Sequence, residues 1–519
     1  MRVQDGRMTL SITALLAETA RRRPDKTAVI CEGTSVTYGQ LWEQARRYAA
    51  VLRERGVGPG DRVGMLMPNI PQFPMTYYGA LALGAVVVPI HSLLKAEEIA
   101  FVLSDAGVSV LVCAAPLLGE GAPGAKLADV PLLSVLDGVD PGVERLDLLA
   151  LAVEPVASYV QREASDDAVF LYTSGTTGQP KGAVMSHLSM LMNAQLSATN
   201  IIEISVDDVV LAVLPLFHSF GQTCVMNASF FTGATVVMMP RFDGAGALGL
   251  MLAHGVTLFQ GVPTMYIGLL EAARTDARRP PLRNATSGGA SLPVTVIEAF
   301  QEVFGVDVHE GYGLSETAPV ATFNQRAYGR KAGTVGCAIW GVDVEVARPE
   351  IEEAIELLPV GELGEVVIRG HNVMSRYHNR PEATAAAIVD GWFRSGDLGT
   401  KDADGFITIV DRKKDMVLRG GFNVYPREVE EVLLRHPAVA QVAVIAVPDD
   451  RYGEEVCAVV IRTPAGADAT GEQIIDWARE RMAAYKYPRL VRFVDAMPLG
   501  PSGKVLKREL AARFAGRDA

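Results

Sequence analysis

Residues 168–182 read AVFLYTSGTTGQPKG, an apolar run followed by a loop rich in Gly, Ser and Thr. The apolar part, 168–172, predicts a buried strand. In the loop, Thr173–Gly182, glycines let the backbone approach an anion closely, and hydroxyl and amide groups can donate to it. Lys181 adds a positive charge. A strand followed by such a loop indicates a phosphate-binding turn.

The loop differs from a Walker A loop, in which Gly stands directly before Lys and Ser or Thr directly after it. Here Pro180 precedes Lys181, and Gly182 follows it. A flexible linker would have a similar composition, but it would not usually follow a strand and end in Pro-Lys-Gly. We therefore predict phosphate binding by a loop of another class.

The segments around the loop alternate between helical and strand-like patterns. Residues 10–22 and 38–55 have helical periodicity, whereas 63–67, 86–90 and 108–113 are short β-rich runs. Strands that alternate with helices predict mainly parallel sheets covered by helices. We therefore expect an α/β fold with a large N-terminal domain over residues 1–410.

A change of pattern follows near residues 405–415, GFITIVDRKKD, where charges cluster after a strand-like run. Beyond it, 427–435 and 471–482 resemble helices, and 439–447 resembles a strand. We predict a small mobile α+β domain over residues 415–519, joined by a hinge at 411–414. A plain surface turn is the alternative interpretation of the charged segment.

Composition excludes several classes of protein. Of the 519 residues, 49% are apolar and 21% charged, as in ordinary folded proteins. The 48 basic and 60 acidic residues give a net charge of −12 without a long basic block, which argues against nucleic-acid binding. The five scattered cysteines form no CxxC pair, which predicts a reduced protein without a zinc site. The N-terminus has no apolar signal region, so we expect a cytoplasmic protein.

The stretch 209–240 contains no charged residue, which would suit a membrane span. Polar residues, Pro and Gly interrupt it, however, so no clean run of about 20 apolar residues remains. We expect a buried strand, turn, helix and strand instead. A peripheral membrane contact stays an open alternative.

Six further motifs follow the loop in a fixed order. They are SGGA at 287–290, GYGLSET at 311–317, GWFRSGD at 391–397, DRKKD at 411–415, GGFNVYP at 420–426 and PSGK at 501–504. With these motifs, nearly the whole chain resembles the acyl-adenylate-forming family of acyl-CoA synthetases, peptide-synthetase adenylation domains and firefly-type luciferases. Residues 411–426 closely resemble bacterial fatty-acyl-CoA synthetases, also known as long-chain-fatty-acid–CoA ligases.

The resemblance implies an ATP- and Mg²⁺-dependent enzyme that activates a carboxylic acid as its acyl-adenylate. In the family, the residue matching Tyr312 stacks on adenine, and those matching Asp397 and Arg412 bind the ribose. Glu316 matches the Mg²⁺ ligand, a role that suits a carboxylate oxygen, and Ser315 can donate to the α-phosphate. The full set of expected nucleotide contacts is Thr173, Ser174, Gly175, Thr176, Thr177, Lys181, Gly288, Gly289, Ala290, Gly311, Tyr312, Gly313, Ser315, Asp397 and Arg412.

The same resemblance implies two reactions at one site. Lys504 matches the catalytic lysine that bridges the substrate carboxylate and the α-phosphate, where a cation offsets the growing negative charge. Lys414 matches the pivot about which the C-terminal domain rotates. After rotation, Gly420 and Gly421 would let the pantetheine arm of CoA pass. We therefore expect an AMP-forming acid–thiol ligase with CoA as co-substrate.

The acid itself is less well defined. Peptide-synthetase domains hold the substrate ammonium with an Asp, and here His218 in PLFHSFG (215–221) takes that place, which argues against amino acids. His218 matches a residue that borders the acyl pocket in CoA ligases, or it is an ordinary core histidine. Nearby apolar residues suit an alkyl tunnel or an ordinary core. We expect a medium- or long-chain fatty acid, with cinnamate-like aryl acids as the alternative.

Other functions stay open. An acyl-AMP ligase that loads a carrier protein would use the same adenylation residues, although no carrier module is attached. A non-catalytic nucleotide-binding protein is disfavoured because Lys504, Glu316 and Asp397 are all present. No single residue distinguishes a luciferase-like oxygenase from an acyl-CoA synthetase here. The expected partners are the acid, ATP and CoA, and a homodimer stays open.

Overall fold

The computed structural model describes residues 3–4, 7–138, 142–173, 179–449, 451–500 and 505–515. The chain divides into two compact units. The larger unit comprises Met1–Val344 and Ile368–Phe393, and the smaller comprises Glu345–Val367 and Arg394–Ala519. The expected α/β class, with a large and a small part, is confirmed. The hinge at 411–414 is a statement about motion and stays a prediction.

A seven-stranded sheet in the first unit contains the strand that opened the sequence analysis. Its strand order is Arg376–Tyr377, Lys181–Ser186, Asp167–Thr173, Val86–Pro89, Arg62–Leu66, Val108–Ala114 and Leu132–Val135. The pairs from Asp167–Thr173 to Leu132–Val135 are parallel, and Lys181–Ser186 is antiparallel to both of its neighbours. The parallel strands are almost fully buried, as sheets covered by helices require.

A nine-stranded sheet forms the other layer of the first unit. Its order is Cys337–Ala338, Val320–Phe323, Val308–Gly313, Asn284–Ser287, Leu258–Gly261, Val209–Ala212, Thr235–Met238, Thr27–Cys31 and Thr34–Thr37. The central pairs are parallel, and the pairs at the two ends are antiparallel. In a parallel sheet the carboxyl ends of the strands meet at one edge, which is where ligands bind in open α/β sheets.

Helices alternate with these strands along the chain. Those of the first unit are Ala14–Arg22, Tyr38–Glu54, Gln72–Ala82, Ala96–Ala106, Leu118–Leu127, Leu146–Leu149, His187–Leu196, Ser197–Ile201, Phe220–Asn227, Ala228–Thr232, Gly244–His254, Pro263–Ala272, Val294–Phe304 and Pro381–Ala387. Helix Tyr38–Glu54 begins with a capping box formed by Thr37 and Gln40. Its predicted apolar face, which includes Leu41, Tyr48 and Leu52, is buried.

Two predictions about the first unit have clear outcomes. The first helix begins at Ala14 rather than near residue 10. Thr9 forms an antiparallel bridge with Glu163, and the Leu10 amide donates to the Arg162 carbonyl oxygen at 2.8 Å, so this segment is extended. The uncharged stretch 209–240 forms strand Val209–Ala212, helical segments over 220–232 and strand Thr235–Met238, as expected. Within the described residues, no helix is long and apolar enough to cross a membrane.

The second unit contains a sheet with apolar clusters on both faces. Its order is Phe422–Val424, Val417–Arg419, Gly453–Arg462 and Val439–Asp449, with Leu490–Phe493 also paired to Gly453–Arg462. Strand Val439–Asp449 alternates its side chains, so Val444 joins one cluster and Ile445 the other. Helices Pro426–Leu433 and Gly471–Arg479 pack on the first face, and Lys507–Phe514 packs on the second.

The remaining strands lie outside these three sheets. They are Val342–Ala347, Gly364–Gly370, Ile388–Val389, Trp392–Lys401 and Ile407–Arg412, together with the short pair Val3–Gln4 and Arg7–Met8 at the N-terminus. In the second unit, strand Ile407–Arg412 is antiparallel to residues of Trp392–Lys401. This register places Asp397 opposite Arg412.

Candidate functional site

The two ends of the predicted phosphate loop lie side by side. Thr173 ends one strand, Lys181 begins the next, and the two residues are paired across the antiparallel ladder. The two strands are therefore consecutive and antiparallel, as in a β-hairpin. Ser174, Gly175, Thr176 and Thr177 lie outside the described residues. Their predicted phosphate contacts stay predictions.

Glu316 lies beside the end of this hairpin. It belongs to a single turn, Ser315–Thr317, that follows strand Val308–Gly313, and only 8% of its surface is exposed. The Thr173 hydroxyl donates to Glu316 Oε1 at 3.4 Å. The structure thus brings together two residues that are far apart in sequence and that were both predicted for the site.

A third residue joins this group and was not predicted. Tyr377 Oη donates to the same Glu316 Oε1 at 2.8 Å, and the Lys181 ammonium lies 5.4 Å from the centre of the Tyr377 ring. Burial and the neighbouring carboxylate raise the pKa of Tyr377 well above its ordinary value, so the phenol keeps its proton. No local motif marks this tyrosine. Only the pairing of Tyr377 with Ala183 brings it to the hairpin.

The Glu316 carboxylate suits a hard cation. Its Oε1 atom accepts the two hydroxyl groups, whereas Oε2 accepts no hydrogen bond from any described residue. The described parts of the chain contain no cluster of three or more His, Cys, Asp or Glu residues that could hold a metal alone. One carboxylate that is completed by phosphate oxygens is a typical Mg²⁺ arrangement. The residues present therefore fit Mg²⁺ bound together with a nucleotide.

Close packing excludes side chains from the glycine motifs. A Cβ atom on Gly288 would lie 3.2 Å from the Phe220 ring and 3.5 Å from the Gly311 carbonyl oxygen. One on Gly313 would overlap the Pro319 carbonyl oxygen at 1.8 Å. Gly288 directly follows Asn284–Ser287, and Gly311 lies near the end of the neighbouring parallel strand. The two motifs therefore meet at one sheet edge, as the nucleotide prediction requires. The nucleotide contacts expected of Gly289, Ala290, Tyr312 and Ser315 beside them stay predictions.

His218 lies in the turn before helix Phe220–Asn227. Its amide donates to the Pro215 carbonyl oxygen at 3.0 Å, and its carbonyl oxygen accepts the Gln222 amide at 2.9 Å. The ring is half-buried, so a role at the acyl pocket stays a prediction. Among the apolar residues suggested for that pocket, Tyr266 belongs to the core, because it packs edge-on against the Phe259 ring and its hydroxyl donates to a backbone carbonyl.

Asp397 and Arg412 form an ion pair in the second unit. Arg412 Nε lies 3.1 Å from Asp397 Oδ1, the carboxylate is 4% exposed, and the guanidinium side chain is 44% exposed. The Ser395 hydroxyl accepts the Asp397 amide at 3.1 Å, and the Lys413 amide donates to the Gly396 carbonyl oxygen. These two hydrogen bonds fix the turn at Ser395–Asp397. The geometry is compatible with ribose binding, which stays a prediction.

Gly420 and Gly421 connect two short antiparallel strands. Both have positive φ angles, 57° and 85°, and they form the two-residue connection between Val417–Arg419 and Phe422–Val424. Tight hairpins of this kind favour glycine at both positions. The turn alone therefore explains the two glycines, and their predicted CoA contact needs a separate test.

The structure describes Lys414 but not Lys504. Lys414 is exposed in the turn after strand Ile407–Arg412. Lys504 lies outside the described residues, although the chain on either side of it is tied down by a bridge between Leu499 and Val505. The roles of both lysines stay predictions.

Known proteins match the chain along nearly its full length. The AMP-binding enzyme family model matches residues 16–378, and the model of the AMP-binding enzyme C-terminal domain matches residues 428–504. A long-chain-fatty-acid–CoA ligase from Bacillus subtilis (strain 168) is 36% identical, over 96% of this chain and 94% of its own. A feruloyl-CoA synthase from an Amycolatopsis species is 39% identical, over 95% of this chain and 97% of its own.

A solved structure agrees with these sequence matches. The crystal structure of ATP-bound MatB from Rhodopseudomonas palustris is 32% identical and superposes with a TM-score of 0.88, over 97% of this chain and 99% of that one. The expectation of an acid–thiol ligase is confirmed by these relatives, which are CoA ligases. The chain therefore belongs to the family of AMP-binding enzymes, with both the AMP-binding domain and its C-terminal domain.

Proposed function

We propose that this enzyme is an AMP-forming acyl-CoA ligase that uses ATP, Mg²⁺ and CoA. The single observation that supports this most strongly is the contact of Thr173 and Tyr377 with one oxygen of Glu316. This contact lies beside the phosphate hairpin, which is formed by strands Asp167–Thr173 and Lys181–Ser186. No described residue donates to the second oxygen, which can therefore take a cation. The ATP-bound relative and the CoA-ligase relatives support the same reaction.

The reaction has two steps. An oxygen of the acid carboxylate attacks the α-phosphorus of ATP, the bond to pyrophosphate breaks, and acyl-AMP remains. The CoA sulfur, after loss of its proton, then attacks the acyl carbon, and AMP leaves with the bonding electrons. The first step brings two anions together, so cations at the site lower its barrier.

The residues of this chain have separate roles in that scheme. Glu316 would hold the Mg²⁺, which supplies charge neutralisation at the phosphates. Asp397 and Arg412 hold the ribose, and Lys504 bridges the carboxylate and the α-phosphate. Gly420 and Gly421 lie at the path of CoA. We infer that only the first step needs Lys504, because only that step joins two anions at phosphorus.

For the acid, we propose a medium- or long-chain fatty acid. The fatty-acid relative and the likeness of residues 411–426 to bacterial fatty-acyl-CoA synthetases support this choice. The apolar residues around helix Phe220–Asn227 are compatible with an alkyl chain, since Val225, Met226 and Phe230 are fully buried there.

A hydroxylated aryl acid is the second candidate. Helix Phe220–Asn227 and the neighbouring strand contain buried polar atoms that have no hydrogen-bond partner among the described residues: Gln222 Oε1, Thr223 Oγ1 and Gln260 Oε1. A buried acceptor without a partner costs about 1–3 kcal/mol. A phenolic hydroxyl could satisfy one of them, whereas an alkyl chain could not. The feruloyl-CoA relative supports the same candidate.

Pyrophosphate release tests the proposal directly. Purified enzyme is given fatty acids of graded length and hydroxycinnamates, each with and without CoA, and both pyrophosphate and thioester are measured. We expect acid-dependent pyrophosphate and a CoA thioester. Pyrophosphate without any thioester would indicate a carrier-protein acceptor instead, and no pyrophosphate with any acid would contradict the proposed function.

The Lys504→Ala variant tests the assignment of the first step. We expect pyrophosphate release to fall by at least about 100-fold, the usual scale for loss of a group that stabilises transition-state charge. Transfer from a chemically prepared acyl-AMP to CoA should stay within about threefold of the native rate. Equal loss of both half-reactions would contradict the role given to Lys504.

A further inference from the structure

Tyr377 contacts both charged side chains at the phosphate hairpin. Its hydroxyl donates to Glu316 Oε1 at 2.8 Å, and its ring faces the Lys181 ammonium at 5.4 Å. One side chain thus contacts the carboxylate expected to hold Mg²⁺ and the cation expected to hold phosphate.

The hydroxyl and the aromatic ring of Tyr377 form different kinds of interaction. The hydroxyl forms a charge-assisted hydrogen bond, which orients the carboxylate and occupies Oε1. The ring attracts the ammonium through its quadrupole. A tyrosine hydroxyl is protonated at neutral pH and can therefore act as the donor in this bond. Glu316 Oε2 is then the oxygen left for a metal.

The backbone of Tyr377 is held without help from its hydroxyl. Its amide donates to the Thr384 hydroxyl oxygen at 3.0 Å, and strand Arg376–Tyr377 pairs with Ala183 and Val184. Arg376 also forms an ion pair with Asp167 at 2.7 Å. Removal of the hydroxyl alone should therefore leave the fold intact.

We propose that Tyr377 is a positioning residue that holds Glu316 for Mg²⁺ through its hydroxyl and Lys181 for phosphate through its ring. This inference rests on the proposed function in one respect, namely that the hairpin binds Mg²⁺ and ATP. It goes beyond that function, because it assigns separate roles to the two parts of one side chain.

Two variants separate the roles, and a third is the control. Tyr377→Phe removes the hydroxyl and keeps the ring, whereas Tyr377→Leu removes both. Tyr172→Phe is the matched control. Tyr172 lies on strand Asp167–Thr173 of the same sheet and donates to Asp105 Oδ2 at the same distance of 2.8 Å. Asp105 has no role in the predicted site. Thermal unfolding of each variant monitors the fold.

Binding is measured on the full-length enzyme by titration calorimetry with ATP, with and without Mg²⁺, and by electron paramagnetic resonance of Mn²⁺. Loss of a residue that orients a metal ligand typically weakens metal affinity by about 10- to 100-fold. We expect this loss for Tyr377→Phe, with metal-free ATP affinity unchanged. We expect Tyr377→Leu to weaken metal-free ATP binding as well, and Tyr172→Phe to bind like the native enzyme.

A double-mutant cycle with Glu316→Gln completes the test. If Tyr377 acts through Glu316, adding Tyr377→Phe to Glu316→Gln should change Mn²⁺ affinity by less than about twofold. Native-like Mn²⁺ affinity in Tyr377→Phe would overturn the inference and leave the proposed function standing. Absence of any Mg²⁺-dependent ATP binding by the native enzyme would overturn both.

Discussion

His187 is fully buried at the start of helix His187–Leu196, and its ring accepts a backbone hydrogen bond. The Ile12 amide donates to His187 Nδ1 at 3.2 Å, so the neutral ring has its proton on Nε2. Burial, and then the nearby Arg162, lower the pKa of His187 to about 4. Protonation of Nδ1 would place two N–H groups against each other.

The sign of the pH effect follows from this lowered pKa. The unfolded chain binds the proton near pH 6.5 and the folded chain only near pH 4, so stability is lost as the pH falls through that window. At pH 5 the loss from this one residue amounts to about 2 kcal/mol. We expect urea unfolding to show a lower free energy at pH 5 than at pH 7.

The variant His187→Asn provides the control. Its Oδ1 can accept the Ile12 amide but cannot take up a proton in this range. We expect its unfolding free energy to depend less on pH than that of the native protein, by about 2 kcal/mol between pH 7 and pH 5. An unchanged pH dependence would show that His187 does not contribute to it. His91, whose pKa burial also lowers to about 4, remains in the variant.

Helix Lys507–Phe514 is joined to helix Pro426–Leu433, which follows the predicted hinge, by a partly buried ion pair. Lys507 Nζ lies 2.7 Å from Glu430 Oε1, which also accepts the Val444 amide. Burial lowers the pKa of Lys507, but Glu430 and Asp411 more than offset this, so the net shift is upward. Asp411 in turn accepts the amides of Arg412 and Arg427. The chain just after Lys504 is thus anchored to the start of the hinge.

Breaking this pair should destabilise the second unit. Lys507→Met leaves two carboxylates without their cation. Because the pair is only partly buried, we expect a cost of about 1–3 kcal/mol, between those of exposed and fully buried pairs. We expect faster hydrogen exchange over Lys507–Phe514 and Pro426–Leu433, measured by mass spectrometry. The double variant Lys507→Met/Glu430→Gln should recover part of the protection.

Lys486→Met is the matched control, because its partner Glu428 lies on the same helix as Glu430. Lys486 pairs with Glu428 at 2.6 Å, but that carboxylate is 44% exposed, against 19% for Glu430. Exposed pairs contribute about 0–1 kcal/mol. We therefore expect Lys486→Met to exchange almost like the native protein. Equal effects of the two substitutions would contradict the anchoring role of Lys507.

We predict that turnover by the whole molecule depends on a hinge at residues 411–414, and substitution of Lys414 tests this prediction. Within the described residues, the Lys414 amide donates no hydrogen bond, so proline at this position removes no bond from the structure. It does restrict φ to about −65°. We expect Lys414→Pro to form acyl-AMP at nearly the native rate and to transfer the acyl group to CoA about tenfold more slowly or worse.

Lys414→Ala separates the backbone effect from the loss of charge. It removes the ammonium group and keeps backbone freedom, so we expect both half-reactions to proceed within about threefold of the native rates. The two half-reactions are measured separately, by pyrophosphate release and by thioester formation from prepared acyl-AMP. Unchanged transfer in Lys414→Pro would contradict a hinge at this position.

Much of the fold could be predicted because its signals are periodic and local. Helix Tyr38–Glu54 and strands such as Val108–Ala114 lie within a residue or two of their expected bounds. The predicted start of the first helix was wrong by four residues, because pairing of Thr9 and Leu10 with Glu163 and Arg162 holds that segment extended. Such long-range pairing leaves no trace in local periodicity.

The alternation of helical and strand-like patterns by itself determined the α/β class. The order and spacing of the motifs determined the family and the residues proposed for ATP and CoA. The tertiary structure alone decided that Tyr377 reaches Glu316 and that Lys507 reaches Glu430. Both contacts join residues that are distant in sequence, and they depend on strand register and helix packing rather than on periodicity. Side-chain partners of this kind are fixed only when the sheets and helices have assembled.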